Sequence, residues 1–469
     1  MRRVVVMAVL VLLLAAAAVY DRSDRPGPSV AVSVAGADGP RAASPSALSS
    51  SWYCPGGPGV SGGALQTRVY VLNPGTEPMK GTATVFPSEG APVSVNLSIG
   101  PATSKMLVLG VLAPGPWASA LIDLDGGGAV VEQLVSGAPG ADTMPCSATA
   151  STHWYFASGS TAKDATQSLV LFNPFPDDAI VDLAFATGEG RRVPGDFQGL
   201  VVRARTTRVV DIGAHVRRQD VVSTAASARA GRVIAGQLLV RTAPGVLGVS
   251  STLGAPALGE RWYFPDGMVS PTVNERFELF NPGTREAQVD IALALERDEA
   301  EPFELTVPAQ GRVTLVVNSE SRVPKGVPHA ALAESVNGVP VVVQRVVESG
   351  APRVGRADTL GARHPARRWA LAFGDASDAT DEWIVVQNPS ARSATVSLTA
   401  LLDGQRVPVE GLQGIVVPAG RRLAFRLGDH IKRAAPLALL VTATSDVVVE
   451  RTLYSVGGVG VSMSMAVPL

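Results

Sequence analysis

The sequence predicts an all-β chain of four tandem antiparallel β-sandwich domains, immunoglobulin-like in type, behind an N-terminal hydrophobic helix and a disordered linker. Three observations carry that prediction. One unit of about 105 residues occurs four times, its clearest runs alternate apolar and polar residues, and almost no stretch has helical periodicity. A propeller would repeat at about 40–50 residues, and no such half-period is present.

The chain opens on Met1-Arg2-Arg3 and an uncharged run over 4–20, closed by Asp21-Arg22. That is the charged region and apolar core of an export signal. Residues 1–20 read as a cleaved signal peptide or as a single-pass anchor, with the remainder outside in either case. Residues 21–50 are rich in Pro, Gly, Ala and Ser without an apolar period, which predicts a linker.

The repeats span 51–150, 151–258, 259–365 and 366–469. They open with Ser51-Trp52-Tyr53-Cys54, His153-Trp154-Tyr155-Phe156, Arg261-Trp262-Tyr263-Phe264 and Arg368-Trp369-Ala370-Leu371. About twenty residues on, a strand-like run ends in Asn-Pro in each: Asn73-Pro74, Asn173-Pro174, Asn281-Pro282 and Asn388-Pro389. Proline cannot continue a ladder, and asparagine bonds its own backbone to begin a turn.

Period 2 is plainest in the third repeat, where Val289, Ile291 and Leu293 alternate with Asp290 and two alanines. Asn337-Gly338 then predicts a two-residue hairpin joining 330–336 to 339–347, with Asp125-Gly126 and Ser445-Asp446 at the same place in other copies. A valine-rich strand follows around Gln133, Gln237, Gln344 and Glu450, grouped as one repeat position. Buried strand residues of this kind bond backbone or a nearby arginine, and Glu450-Arg451 is a candidate pair.

The chain holds two cysteines, Cys54 in the first strand of repeat one and Cys146 in its last. In an oxidising compartment they predict a disulfide. Net charge is −1 and only 17% of residues are charged, so no basic surface invites nucleic acid.

Motifs for chemistry are weak. Gly59-Val60-Ser61-Gly62-Gly63 fits a nucleophile elbow in letters, but a Gly/Pro loop precedes it and a strand follows, where the elbow needs strand then helix. Gly57 to Gly62 lacks the βαβ setting of a dinucleotide loop. His153, His215, His329, His364 and His430 are scattered, without metal spacing. The acidic runs Asp375, Asp378, Asp381, Glu382 and Glu296, Asp298, Glu299, Glu301 lack the spaced ligands and glycine of a calcium loop. Trp52, Trp154, Trp262 and Trp369 fit sandwich cores; exposed, they would instead be stacking platforms for sugars. The expectation is no catalytic residue, no metal and no cofactor.

With Val447–Tyr454 preceded by Val417-Pro418-Ala419-Gly420 and Asn388-Pro389, the unit resembles a repeat of exported bacterial proteins. Residues 51–469 resemble an actinobacterial exported family known as a domain of unknown function, number 5719. Repeats one to three depart from its Glu-Arg pair, reading Glu132-Gln133, Gly236-Gln237 and Gln344-Arg345. The family brings no known activity, so the resemblance implies only compartment and fold. The expected function is a non-enzymatic extracytoplasmic envelope protein: a scaffold, a spacer or an adhesion array. The alternative is a glycan- or peptidoglycan-binding array, with a hydrolase behind it. Expected partners are the membrane through residues 4–20 if uncleaved, and cell-wall glycan or another envelope protein.

Overall fold

A computed structural model describes residues 39–296, 300–432 and 436–469. The fold is nearly all β and consists of antiparallel sheets. Repeat one supplies β1 (Ser50–Pro58), β2 (Leu65–Asn73), β3 (Met79–Pro87), β4 (Val93–Ile99), β5 (Thr103–Val108), β6 (Trp117–Leu124), β7 (Val130–Gly137) and β8 (Gly140–Pro145). They form two four-stranded sheets, ordered β1-β6-β3-β4 and β5-β2-β7-β8. The second and third repeats each hold two sheets with equivalent strand orders. In the fourth, the strand Leu437–Ser455 does the work of β6 and β7 together and joins both sheets into one of nine strands. The apolar/polar alternation of Ala287–Leu295 becomes alternating full and partial burial, as the period of two requires.

Two turn predictions fail for the same reason. The strands His329–Ser335 and Val342–Ser349, on either side of Asn337-Gly338, lie in different sheets, and only Gly338 of the pair has positive φ, at 67°. The signal marked a crossing between sheets, not a type I′ hairpin, which needs positive φ at both residues. Asp125-Gly126 is likewise a crossing between β6 and β7, and Leu437–Ser455 runs through Ser445-Asp446 without a break. Segment 4–20 lies outside the described residues, and no helix of the described residues is long and apolar enough to cross a membrane. The last part of the predicted linker is built into the fold. Ala42 is buried and donates to Pro468 O at 2.9 Å, while Gly128 donates to Ala43 O at 2.9 Å.

The repeated motifs hold the cores. Trp52, Trp154, Trp262 and Trp369 are each 1% exposed, which places their rings inside and away from any sugar. Three of their indole N–H groups reach backbone carbonyls, of Val233 (2.8 Å), Val341 (3.1 Å) and Val447 (3.0 Å). Each Asn-Pro asparagine is buried and clamps two loops. Asn73 accepts from Gly75 N and donates to Glu77 O and Ile99 O, and Asn173, Asn281 and Asn388 repeat the pattern. Cys54 and Cys146 form the disulfide, Cα–Cα 4.6 Å. Where repeat one has it, the next two have a phenylalanine on a glycine: a Cβ on Gly254 would lie 2.7 Å from Phe156 Cζ, and one on Gly361 2.7 Å from Phe264 Cζ. One core volume is thus filled by two chemistries.

The repeats close on one another around their last strands. A Cβ on Gly140 would lie 3.1 Å from Val249 N, on Gly248 2.7 Å from Arg356 N, on Gly355 2.5 Å from Val461 N, and on Gly460 3.5 Å from Ala141 N. Each glycine opens its repeat's last strand and lies against the next repeat's last strand, and the fourth lies against the first. At Gly248 and Gly355 only glycine admits so close an approach. These last strands are sheet edges, and the cyclic packing covers them. Their polar groups are met across the seams: Ser251 N by Asp142 Oδ2 (2.7 Å), Asp358 O by Thr252 Oγ1 (3.1 Å), Met463 O by Thr359 Oγ1 (2.8 Å) and Thr143 N by Ser462 Oγ (3.0 Å).

Candidate functional site at the seams between repeats

Near its end each first strand leaves the ladder, with register shifts at Cys54/Gly57, Phe264/Gly267 and Leu371/Gly374; in repeat two the strand ends at Phe156. A bulge leaves backbone groups unpaired, and buried ones need partners. The carbonyl is met from within the repeat: Gln133 Nε2 donates to Gly56 O (2.8 Å), Gln237 Nε2 to Ser158 O (3.0 Å) and Arg451 Nη1 to Phe373 O. The N–H is met by the following repeat. Ser158 N donates to Gln344 Oε1 (2.9 Å), Asp266 N to Glu450 Oε2 (3.0 Å) and Phe373 N to Glu132 Oε2 (2.9 Å).

The first seam departs from this rule. Gly56 N turns inward to Gln133 Oε1 at 2.8 Å, and repeat two has Gly236 where the acceptor would stand. The Pro55 ring fills that place: a Cβ on Gly236 would lie 2.5 Å from Pro55 Cγ.

Strand pairing divides the group expected from sequence. Val69, Leu169, Phe277 and Ile384 lie opposite Gln133, Gln237, Arg345 and Arg451. The acceptor row is therefore Glu132, Gly236, Gln344 and Glu450, and the donor row is Gln133, Gln237, Arg345 and Arg451. Gln344 and Glu450 belong one register step from Gln133 and Gln237. A valine run buried on both faces has no alternation to reveal the slip. Glu450 and Arg451 are not partners of each other: Glu450 pairs with Arg345 of repeat three and Arg451 with Glu132 of repeat one, at 3.1 Å.

Charge differs from seam to seam. Between repeats three and four, Arg345 and Glu450 are fully buried, and Asp266 meets Arg422 Nη2 (2.8 Å) and Thr452 Oγ1 (2.7 Å). Behind them Glu275 lies 2.9 Å from His329 Nε2, both fully buried. Burial pushes the Glu450 carboxyl up to about 7 against the pull of Arg345. Between four and one, Glu382 stands where repeat three has Glu275, and Leu437 stands where it has His329. Arg451 there pairs with Glu132, and its charge also acts on Glu382. Burial raises Glu382 to about 8, Arg451 opposes, and Asp375 and Glu132 push the same way as burial. Asp142, at the centre, is raised well above the ordinary range by burial, although Ser251 N and Thr143 N donate to it.

Such an arrangement holds backbone and protons inside the fold. It presents no opposed acid and base to solvent. Ser61 sits in an exposed turn between β1 and β2, without the following helix an elbow needs. Asp375 caps Ser377 N and Thr380 Oγ1, and Asp381 binds Arg353 and Arg426. Glu301 lies 3.8 Å from Arg322, while Asp298 and Glu299 lie outside the described residues. His215 pairs with Asp196 at 3.1 Å and His430 Nδ1 lies 2.8 Å from Glu410 O. Among the described residues no group of His, Cys, Asp or Glu could hold a metal ion. Sequence reasoning noted Glu132 and Arg345 only as departures from the Glu-Arg pair and gave Asp266 and Glu275 no role. Glu132 and Arg345 lie in valine-rich runs, but Asp266 and Glu275 have polar, Pro or Gly neighbours, and all four acquire meaning only once two repeats are set side by side.

These features define a class: an all-β protein of internal repeats whose polar interior serves the contacts between repeats. The chain belongs to the family of unknown function DUF5719, whose model matches residues 128–380. No curated protein matches it. Among solved structures, the crystal structure of Thermotoga maritima 1070 is similar at 24% identity, covering 22% of this chain and 92% of that one, with TM-score 0.21. The Anabaena sensory rhodopsin transducer is similar at 26% identity, covering 19% and 83%, with TM-score 0.17. A tetra-tandem repeat from the extending region of a large adhesion protein is 11% identical, covering 84% and 92%, with TM-score 0.10.

Proposed function

We propose that the four repeats are tandem immunoglobulin-like β-sandwiches forming one rigid extracytoplasmic platform, a non-enzymatic scaffold of the cell envelope. The observation that carries this reading is the Arg451–Glu132 pair, which binds the last repeat to the first. A spacer gains reach by laying domains end to end, and a chain whose fourth repeat returns to its first gains none. The Cys54–Cys146 disulfide supports an oxidising compartment. The buried tryptophans remove the basis for sugar stacking at those positions.

Small-angle scattering of the purified protein tests the shape. A compact body of this length has a radius of gyration of roughly 22 Å, and four domains in a row would give about twice that. A value near the larger figure would end the platform reading. Protease treatment of intact cells tests the compartment, with digestion of repeats expected before lysis.

A further inference from the structure

Repeat two carries a row of arginines, of which Arg192 pairs with Glu189 and Arg208 and Arg217 bond backbone carbonyls, while others enter no ion pair among the described residues. Gly190–Arg192 and Leu200–Val202 both pair with the same edge of Ala179–Thr187, Arg192 opposite Phe185 and Val202 opposite Ala179. Six residues of strand separate those points, about 20 Å. Arg191 and Arg192 mark one end, Arg203 and Arg205 the other, and Arg208 joins them by donating to Val201 O at 2.7 Å. Arg217 and Arg218 follow on the next turn.

Arg191, Arg203, Arg205 and Arg218 are exposed and enter no ion pair among the described residues, whereas the buried arginines Arg345, Arg356 and Arg451 all bind carboxylates. Among the acidic neighbours Glu189 pairs with Arg192, Asp196 with His215 and Asp182 with Arg229, while Asp177, Asp178, Asp211 and Asp220 keep their charge without a cationic partner among the described residues, fewer than the arginines of this edge that enter no ion pair.

Backbone geometry fixes where Arg205 stands. Arg205 has φ 56°, in a turn that recurs in every repeat with the N–H bonded to the loop after the asparagine. Its counterparts are Ala102 (49°), Gln310 (54°) and Gly420 (66°). Glycine takes this conformation without strain, and repeat four uses it. A long arginine there is not what the turn asks for, and Arg218 is in the same region at 55°.

We infer that this edge of repeat two binds an extended polymer of phosphodiester-linked polyol. Guanidinium groups spaced along about 20 Å suit a linear chain of anions, and arginine binds phosphate oxygens in pairs. The inference rests on the envelope reading only for where such a polymer is met, so binding by purified protein can fail or succeed independently of localisation.

The test is retention of the full-length protein on immobilised poly(glycerol phosphate), beside neutral dextran, phosphatidylglycerol vesicles and duplex DNA. Salt-sensitive binding to poly(glycerol phosphate) is expected, with little to dextran. R203E/R205E should weaken it at least tenfold, while R261E, at an exposed arginine of repeat three, leaves it unchanged. R205G separates fold from binding: its Tm should rise while its affinity falls severalfold. Absent binding, equal binding by R203E/R205E, an equal loss in R261E, or preference for vesicles or DNA would each overturn the inference.

Discussion

The seam that joins repeat four to repeat one and the seam that joins one to two meet the same demand by opposite means. Both must satisfy a buried bulge. At the fourth–first seam Glu132 accepts from Phe373 N and binds Arg451, so the contact is ionic and fully desolvated. At the first–second seam the bulge is satisfied within its own repeat by Gln133, and Gly236 and Pro55 make an apolar contact where the other seams place an acceptor, although Asp142 and Thr207 still bond across that seam elsewhere. The second–third seam uses a neutral amide, Gln344, and the third–fourth an ion pair. Equivalent positions therefore need not be chemically alike. What is shared is the requirement for a partner, and each seam's distinct chemistry opposes pairing of the wrong repeats.

The largest way to break this contrast is E132A. It strands Arg451 and the Phe373 N–H in the interior, and denaturant unfolding should show a loss of about 3–5 kcal/mol. A loss below about 1 kcal/mol would mean that the ionic seam is no more demanding than the apolar one.

E382Q sharpens it through pH. A carboxyl at about 8 when folded and near 4.5 when unfolded keeps its proton longer in the native state, so its contribution to stability is full below pH 4.5 and is lost as pH rises toward 8 and beyond. E382Q should flatten that fall and be more stable than the parent at pH 9 by about 3–5 kcal/mol. Unchanged slopes in urea titrations between pH 5 and 9 would refute a held proton. The smallest effect belongs to the apolar seam: G236A should cost about 1–3 kcal/mol by driving a methyl into Pro55, and P55A should restore much of it. Additive losses in the double variant would show that the two do not share a space.

Much of the fold was legible because it rests on short-range patterns. The tryptophans, the Asn-Pro turns and the alternation of Ala287–Leu295 all declare local structure, and the cysteine pair was legible because the chain holds only two. The roles of Asn337-Gly338 and of the valine run were not legible. A turn signal does not say which sheet receives the next strand, and an unbroken apolar run does not fix its register. The seams were hidden for another reason. Glu132 and Arg451 stand 319 residues apart, and neither is unusual until the other is beside it. Sequence could expect that a buried glutamate has a partner, but the partner lay in another repeat.

The bond from Ala42 N to Pro468 O brings the two ends of the described chain to one place. The four repeats therefore close a circuit in space. Joining those ends and reopening the chain between repeats one and two would leave every seam's chemistry in place. Cutting there removes a covalent link from the apolar seam and gives one to the ionic seam. Such a permuted chain, followed by its unfolding midpoint, weighs each seam's non-covalent contacts against the link it has lost or gained.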